Sequence, residues 1–210
     1  MTLLPSLALG LVLGVRHATD ADHVAAIGTI AASGRSARRA ALVGAAWGVG
    51  HSLSVLVVGG ALVLLRLPMP VRVALALEFA VAVMLIGLGI RSLTTRGRAG
   101  SGSSLRPLAV GMMHGLAGSA VLALLVIGAT TDPVASALYL ACFGVGTIAG
   151  MSGMTALMSV PAMLHPHHAV TMERGVRVVA GVASVAIGLV MAHRIGVQDG
   201  LFAASPLSSR

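Results

Sequence analysis

Residues 3–23 read LLPSLALGLVLGVRHATDADH. The run opens with thirteen uncharged residues, Leu3 to Val15, about 20 Å of helix. It then turns polar at once, with Arg16, His17, Thr19, Asp20, Asp22 and His23. A helix that crosses a bilayer needs about 20 mostly apolar residues, so the polar run begins near mid-membrane. A charge there costs about 2.5–3.5 kcal/mol on insertion scales. These side chains must therefore face protein, water or an ion. The segment is too polar in its second half for a cleaved signal peptide, and it lacks the basic start of one.

The rest of the chain agrees with a membrane setting. Apolar residues make up 57% and charged residues 10% of the 210, against about 25% charged in an ordinary soluble protein, and the mean hydropathy is +0.97. Six segments are long and apolar enough to span, and the spacing predicts helices over Leu3–Ala32, Ala40–Leu65, Val73–Leu93, Leu108–Gly128, Val134–Leu164 and Val176–Ile195. The fold expected is all-α and polytopic. One cysteine, Cys142, excludes an internal disulfide framework and a four-cysteine zinc site. An aromatic content of 2% leaves no stacking platform for nucleic acid, so the net charge of +8 carries topology. Arg35, Arg38, Arg39, Arg91, Arg96, Arg98, Arg106, Arg174 and Arg177 flank the odd loops. Only Arg66, Arg72, Arg194 and Arg210 lie on the other side. The positive-inside rule then puts both termini outside.

The chain also repeats itself. Gly14-Val15-Arg16-His17 aligns with Gly111-Met112-Met113-His114, Trp47-Gly48-Val49-Gly50-His51 with Phe143-Gly144-Val145-Gly146-Thr147, and Ile86-Gly87-Leu88 with Ile187-Gly188-Leu189. Three spans per copy is an odd number, so the second copy is inverted in the membrane, a recurrent transporter design with its site near the midplane. The expected organisation is a first three-helix repeat over 1–93, a flexible cytoplasmic linker over 94–107, a second repeat over 108–196 and a polar tail over 197–210.

On a regular helix Arg16, His17, Asp20 and His23 fall within about 120° of arc, and Asp22 lies to one side. Local unwinding would instead bring Asp22 into the site. Both arrangements stay open at the level of sequence. Imidazole with carboxylate suits Ni, Co, Zn, Cu or Fe. The competing reading is a structural cluster in which Arg16 pairs with Asp20 or Asp22. His51 stands about eleven residues into the second segment, again near the midplane, and His114 is the repeat mate of His17. Glu78 is read as solvated near the interface, with pairing to an arginine or help to an entering ion as alternatives, the Met151, Met154 and Met158 stripe as packing, and His165, His167 and His168 as a loop outside the membrane.

These residues carry a resemblance. Arg16-His17-Ala18-Thr19-Asp20-Ala21-Asp22-His23-Val24 resembles the R-H-A-x-D-A-D-H-[IV] signature of the nickel/cobalt transporter family, and Gly50-His51-Ser52 resembles the G-H-S motif on that family's next helix. The resemblance implies a secondary permease of the bacterial cytoplasmic membrane that takes up Ni²⁺ or Co²⁺ and feeds metalloenzyme maturation. It implies that His17, Asp22 and His23 recognise the metal and that His51 supports them, with Asp20 and His114 as further candidates. The chain departs from the usual eight helices, with the signature on the first of six helices instead of the second. The acidic L-G-x-D-T-A-T-E motif is replaced by His114-Gly115-Leu116-Ala117-Gly118-Ser119-Ala120, as in a short six-helix branch labelled urease-accessory or nickel-permease-like. The expectation is a transporter and not an enzyme, with no cofactor and with the metal as cargo. Its competitors are an exporter of the same metals, a haem protein ligated by two histidines, and an intramembrane enzyme using Ser119.

Overall fold

The computed structural model describes residues 3–31, 36–65, 67, 69–95, 105–129 and 132–202, with the backbone alone over 119–129. Arg35, Arg66, Arg96, Arg98, Arg210, the side chain of Ser119, and most of the expected linker and tail lie outside the described residues. Among the described residues seven helices follow in order: α1 Leu3–His17, α2 Ala21–Ala31, α3 Ala37–Leu65, α4 Val71–Thr94, α5 Leu105–Ala129, α6 Pro133–Leu164 and α7 Ala169–Gln198. No strand occurs among the described residues. Helix α3 passes through a π-helical turn at Val55–Gly59, and α7 ends in another at Arg194–Gln198.

Four helices, α3, α4, α6 and α7, are long and apolar enough to cross a bilayer. Their outer faces stay apolar: Val179 and Val190 on α7 are 70% and 68% exposed. Surface of that kind belongs against lipid. The first expected span differs from the continuous Leu3–Ala32 of the sequence reading, because the chain breaks between His17 and Ala21. Thr19 and Asp20 donate backbone N–H groups three residues back, to Arg16 at 2.9 Å and His17 at 3.1 Å, and the Thr19 hydroxyl also bonds the Arg16 carbonyl. Such three-residue bonds tighten and end a helix. Asp20 then accepts from Val24 N–H at 3.0 Å, and Asp22 stands in the first turn of α2, where a negative charge is favoured.

The packing is organised around α6 and α7. Helices α1 and α3 lie along α6, α5 lies along α3, and α4 with α2 lies along α7. Small residues set the closest approaches. A Cβ on Gly14 of α1 would collide with the Phe143 carbonyl of α6, and one on Gly111 of α5 with the Trp47 carbonyl of α3. Gly146 meets the Leu11 carbonyl and Gly50 the Leu108 carbonyl in the same way. Between α4 and α7, a Cβ on Gly188 would come within 2.7 Å of the Ala82 carbonyl oxygen, and one on Gly89 within 2.6 Å of that of Gly181. Backbone contact of this closeness is what small residues provide between membrane helices. One buried core joins Ala26, Ile27, Trp47, Val81, Leu85 and Met151, with Met158 packed on it. Met151 and Met158 of the methionine stripe thus pack in the interior. Asp132 caps α6, accepting from Val134 N–H at 3.0 Å, with Pro133 at the first helical position.

Candidate metal centre

The break between α1 and α2 turns the polar run toward α3 and α5. His17 closes α1, Asp22 and His23 open α2, His51 comes from α3 and His114 from α5. The rings of His17 and His23 lie 4.4 Å apart, His17 and His51 5.1 Å, His23 and His51 5.3 Å, and His23 and His114 4.2 Å. Trp47 stacks on His23 at 5.7 Å, and Phe143 stands 5.4 Å from His17. These aromatic walls are the two repeat-related residues of the sequence, and both are buried.

The carboxylates fix the rings. Asp20 Oδ2 takes a hydrogen bond from His17 Nδ1 at 2.9 Å. Asp22 Oδ1 accepts from His23 Nδ1 at 3.0 Å and from the His23 backbone N–H at 2.9 Å, and its Oδ2 accepts from His114 Nε2 at 2.8 Å. An ionised carboxylate can only accept, so each bonded ring nitrogen carries the proton. In the neutral ring the opposite nitrogen then holds a free lone pair. His17 Nε2, His23 Nε2, His114 Nδ1 and both ring nitrogens of His51 are buried without a partner among the described residues. Leaving such groups unpaired costs about 1–3 kcal/mol each. Two sets of ligand atoms lie within 4.8 Å of one another: His17, His23 and His51, and Asp22, His23 and His114. Both sets share His23.

The structure thus brings together every sequence-predicted site residue, and it chooses the unwound arrangement that includes Asp22. Their environments differ. His51 is fully buried and His23 and His114 nearly so, whereas the Asp20 side chain is 52% exposed. Arg16 is exposed and makes no ion pair among the described residues, so it does not form the structural cluster weighed above. His165, His167 and His168 are exposed around a short 3₁₀ turn away from these residues. A cavity of about 160 Å³ adjoins the cluster, with His17, Asp22, His23, His114, Glu78 and Met191 in its wall. That is room for an ion and a few waters of about 30 Å³ each, and too little for a porphyrin. Glu78, read from sequence as solvated near the interface, with ion entry as an alternative, lines this wall. Its signal was its depth, eight residues into a span with no arginine one helical turn away.

Residues 4–98 match the family described as high-affinity nickel-transport protein (NicO). The chain is also similar to the urease accessory protein UreH of Bacillus sp. (strain TB-90), 30% identical over 219 residues, which cover 95% of this chain and 96% of that protein. No solved structure matches it. The matched half holds the broken helix, the paired carboxylates and three of the four histidines, and the likeness to UreH runs nearly end to end. The chain therefore belongs to the family of high-affinity nickel-transport proteins, multi-pass membrane transporters and not enzymes, for which nickel is cargo.

Proposed function

We propose that this chain imports Ni²⁺ across the bacterial cytoplasmic membrane through a site made by His17, His23 and His51. One observation carries the reading: three imidazoles from three helices converge with buried, unpartnered nitrogens, two of the rings oriented by a carboxylate on the opposite nitrogen. Carboxylate-oriented histidines are the usual outer layer of a metal site, and they raise ligand basicity. Imidazole suits nickel, and cobalt equally. Asp22 and Asp20 balance the two positive charges. Asp22 ties His23 to His114, which offers the ion a second position with Asp22 and His23.

Six crossings support transport by two inverted three-helix repeats, with α1 and α2 sharing the first crossing. The contacts are reciprocal. Gly14 on Phe143 and Gly111 on Trp47 exchange when the halves are exchanged, as do Gly146 on Leu11 and Gly50 on Leu108. The α4–α7 contacts exchange at an offset of 99 residues, pairing Gly89 with Gly188 where the sequence alignment pairs Gly87. The organisation we propose is the one read from sequence: repeats over 1–93 and 108–196, a linker over 94–107 and a tail over 197–210. Orientation rests on the arginines. Arg177 Nη1 donates to the Thr95 carbonyl at 3.3 Å, so the end of α4 and the start of α7 share the arginine-rich face, assigned to the cytoplasm. Both termini then lie outside. Imported metal supplies a nickel enzyme through its maturation proteins, a reading supported by the relative's name, urease accessory protein.

The test is accumulation of radioactive nickel at nanomolar external metal, in cells with the protein, with its His17→Ala or His51→Ala variant, or without it. Accumulation that rises with the protein and returns to background in the variants is expected. Accumulation below the empty-vector level would make the protein an exporter. Wild-type uptake in both variants would remove the histidines from the site.

A further inference from the structure

The cavity beside the histidines holds one ionisable group outside the histidine–aspartate cluster, Glu78 of α4. Asp22, the other acid in that wall, is committed to His23 and His114. Glu78 is partly buried and has no hydrogen bond or salt bridge among the described residues. The nearby Arg194 is engaged with Asp199 at 3.7 Å instead. A carboxylate at membrane depth is costly and rarely left without a function. It stands about 10 Å along α4 from its first residue. The end of α7 packs over that region, and Phe202 contacts Phe79 at 5.2 Å. This is the face opposite the arginine-rich ends. Behind the cluster His51, Trp47 and Phe143 are all buried.

We infer that Glu78 is the carboxylate that receives the hydrated divalent cation at the mouth of this cavity and delivers it to the histidines. The inference rests on the proposed metal site and names its access residue. A free negative charge in a cleft with low-dielectric walls concentrates cations and raises their association rate. The neutral unpartnered imidazoles behind it offer lone pairs but no attraction at a distance. Glu78 therefore favours divalent over monovalent cations at the mouth, and the histidines favour transition metals over Mg²⁺ or Ca²⁺ behind it.

The single tryptophan, Trp47, stacks on His23 and lies 5.9 Å from His114, so its quenching by Ni²⁺ reports arrival at the cluster. Stopped-flow mixing of the purified full-length protein with Ni²⁺ is compared for wild type, E78Q, E78M and E78D. Removal of the charge in E78Q, or in E78M should E78Q fail to fold, is expected to slow association about tenfold. Dissociation slows alongside, equilibrium affinity stays within a few fold, and the salt dependence of association flattens. E78D keeps the charge and stays close to wild type. Wild-type association in E78Q and E78M would overturn the inference and leave the site intact. Faster dissociation with loss of affinity would overturn it too, making Glu78 a ligand. Wild-type protein whose tryptophan does not respond to Ni²⁺, and which binds none at equilibrium, would overturn the metal site itself.

Discussion

Asp22 accepts three hydrogen bonds, from the backbone and ring of His23 and from the ring of His114, whereas Asp20 holds only His17. Their exposure differs as well, with side chains 26% and 52% exposed. The two carboxylates should therefore contribute unequally. Asp22→Asn keeps the shape but puts an N–H₂ where one of the two imidazole protons must be accepted, so His23 or His114 turns away or changes tautomer. A loss of about 10–100-fold in nickel affinity is expected, the usual effect of removing such a partner. Asp20→Asn breaks a bond that water can replace, and its loss should be several-fold smaller. Calorimetric titration of the purified variants with Ni²⁺ decides, and a larger loss in Asp20→Asn would reverse the assignment. The ranking of Asp22 over Asp20 was carried by the resemblance and not by helical periodicity, since a regular helix puts Asp20 with the histidines and Asp22 outside the arc. Helical periodicity assumes a continuous helix, and Thr19-Asp20-Ala21-Asp22 interrupts it with side chains that compete for the backbone. The cap signal was present in those four residues, but its consequence depends on where α6 and α7 stand.

At the scale of elements the helices were legible because their cause is local. Apolar length decides a crossing, and the observed α3 to α7 lie within a few residues of the expected segments except at the start of α7. That helix begins at Ala169, since Glu173, Arg174 and Arg177 extend it on its polar side. Helix pairing was less legible, because the glycines mark close approach without naming the partner. The structure supplies the partners, and a substitution series follows from them. Gly14→Ala and Gly111→Ala each put a methyl group into a carbonyl of the facing helix, and overpacking of that kind costs about 1–3 kcal/mol. Gly87 has nothing within 4 Å of the position a Cβ would take. Gly87→Ala should therefore be neutral or stabilising by about 0.5–1 kcal/mol, from the helix propensity gained. Thermal unfolding of the purified protein is expected to show lower midpoints for the first two and an unchanged or higher one for the third. Equal midpoints for Gly14→Ala and Gly87→Ala would mean that α1 and α6 are not in backbone contact.

At the scale of the whole molecule, close glycine contacts recur in both halves of the sequence, but the chemistry of the two halves differs. The reciprocal glycine contacts relate the halves, but only the first half carries the broken helix and the paired carboxylates, and α5 runs unbroken from Leu105 to Ala129. The second half contributes one imidazole, His114. No G-x₄-G-K-[ST] nucleotide motif is present in the sequence, so the proposed transport draws its free energy from outside the chain. The membrane potential is sufficient in magnitude. A divalent cation entering under about 100 mV, inside negative, gains about 4.6 kcal/mol, which sustains more than about a thousandfold gradient at 1.36 kcal/mol per tenfold. Proteoliposomes under a potassium-diffusion potential, with no proton gradient, should therefore concentrate nickel. An inside-negative potential of about 60 mV should sustain about a hundredfold ratio, and at zero potential the ion should only equilibrate. Accumulation that requires a pH gradient and ignores the potential would show that protons drive the cycle. The unpartnered nitrogens of His51 and His114 would then be the first place to look for the coupled proton.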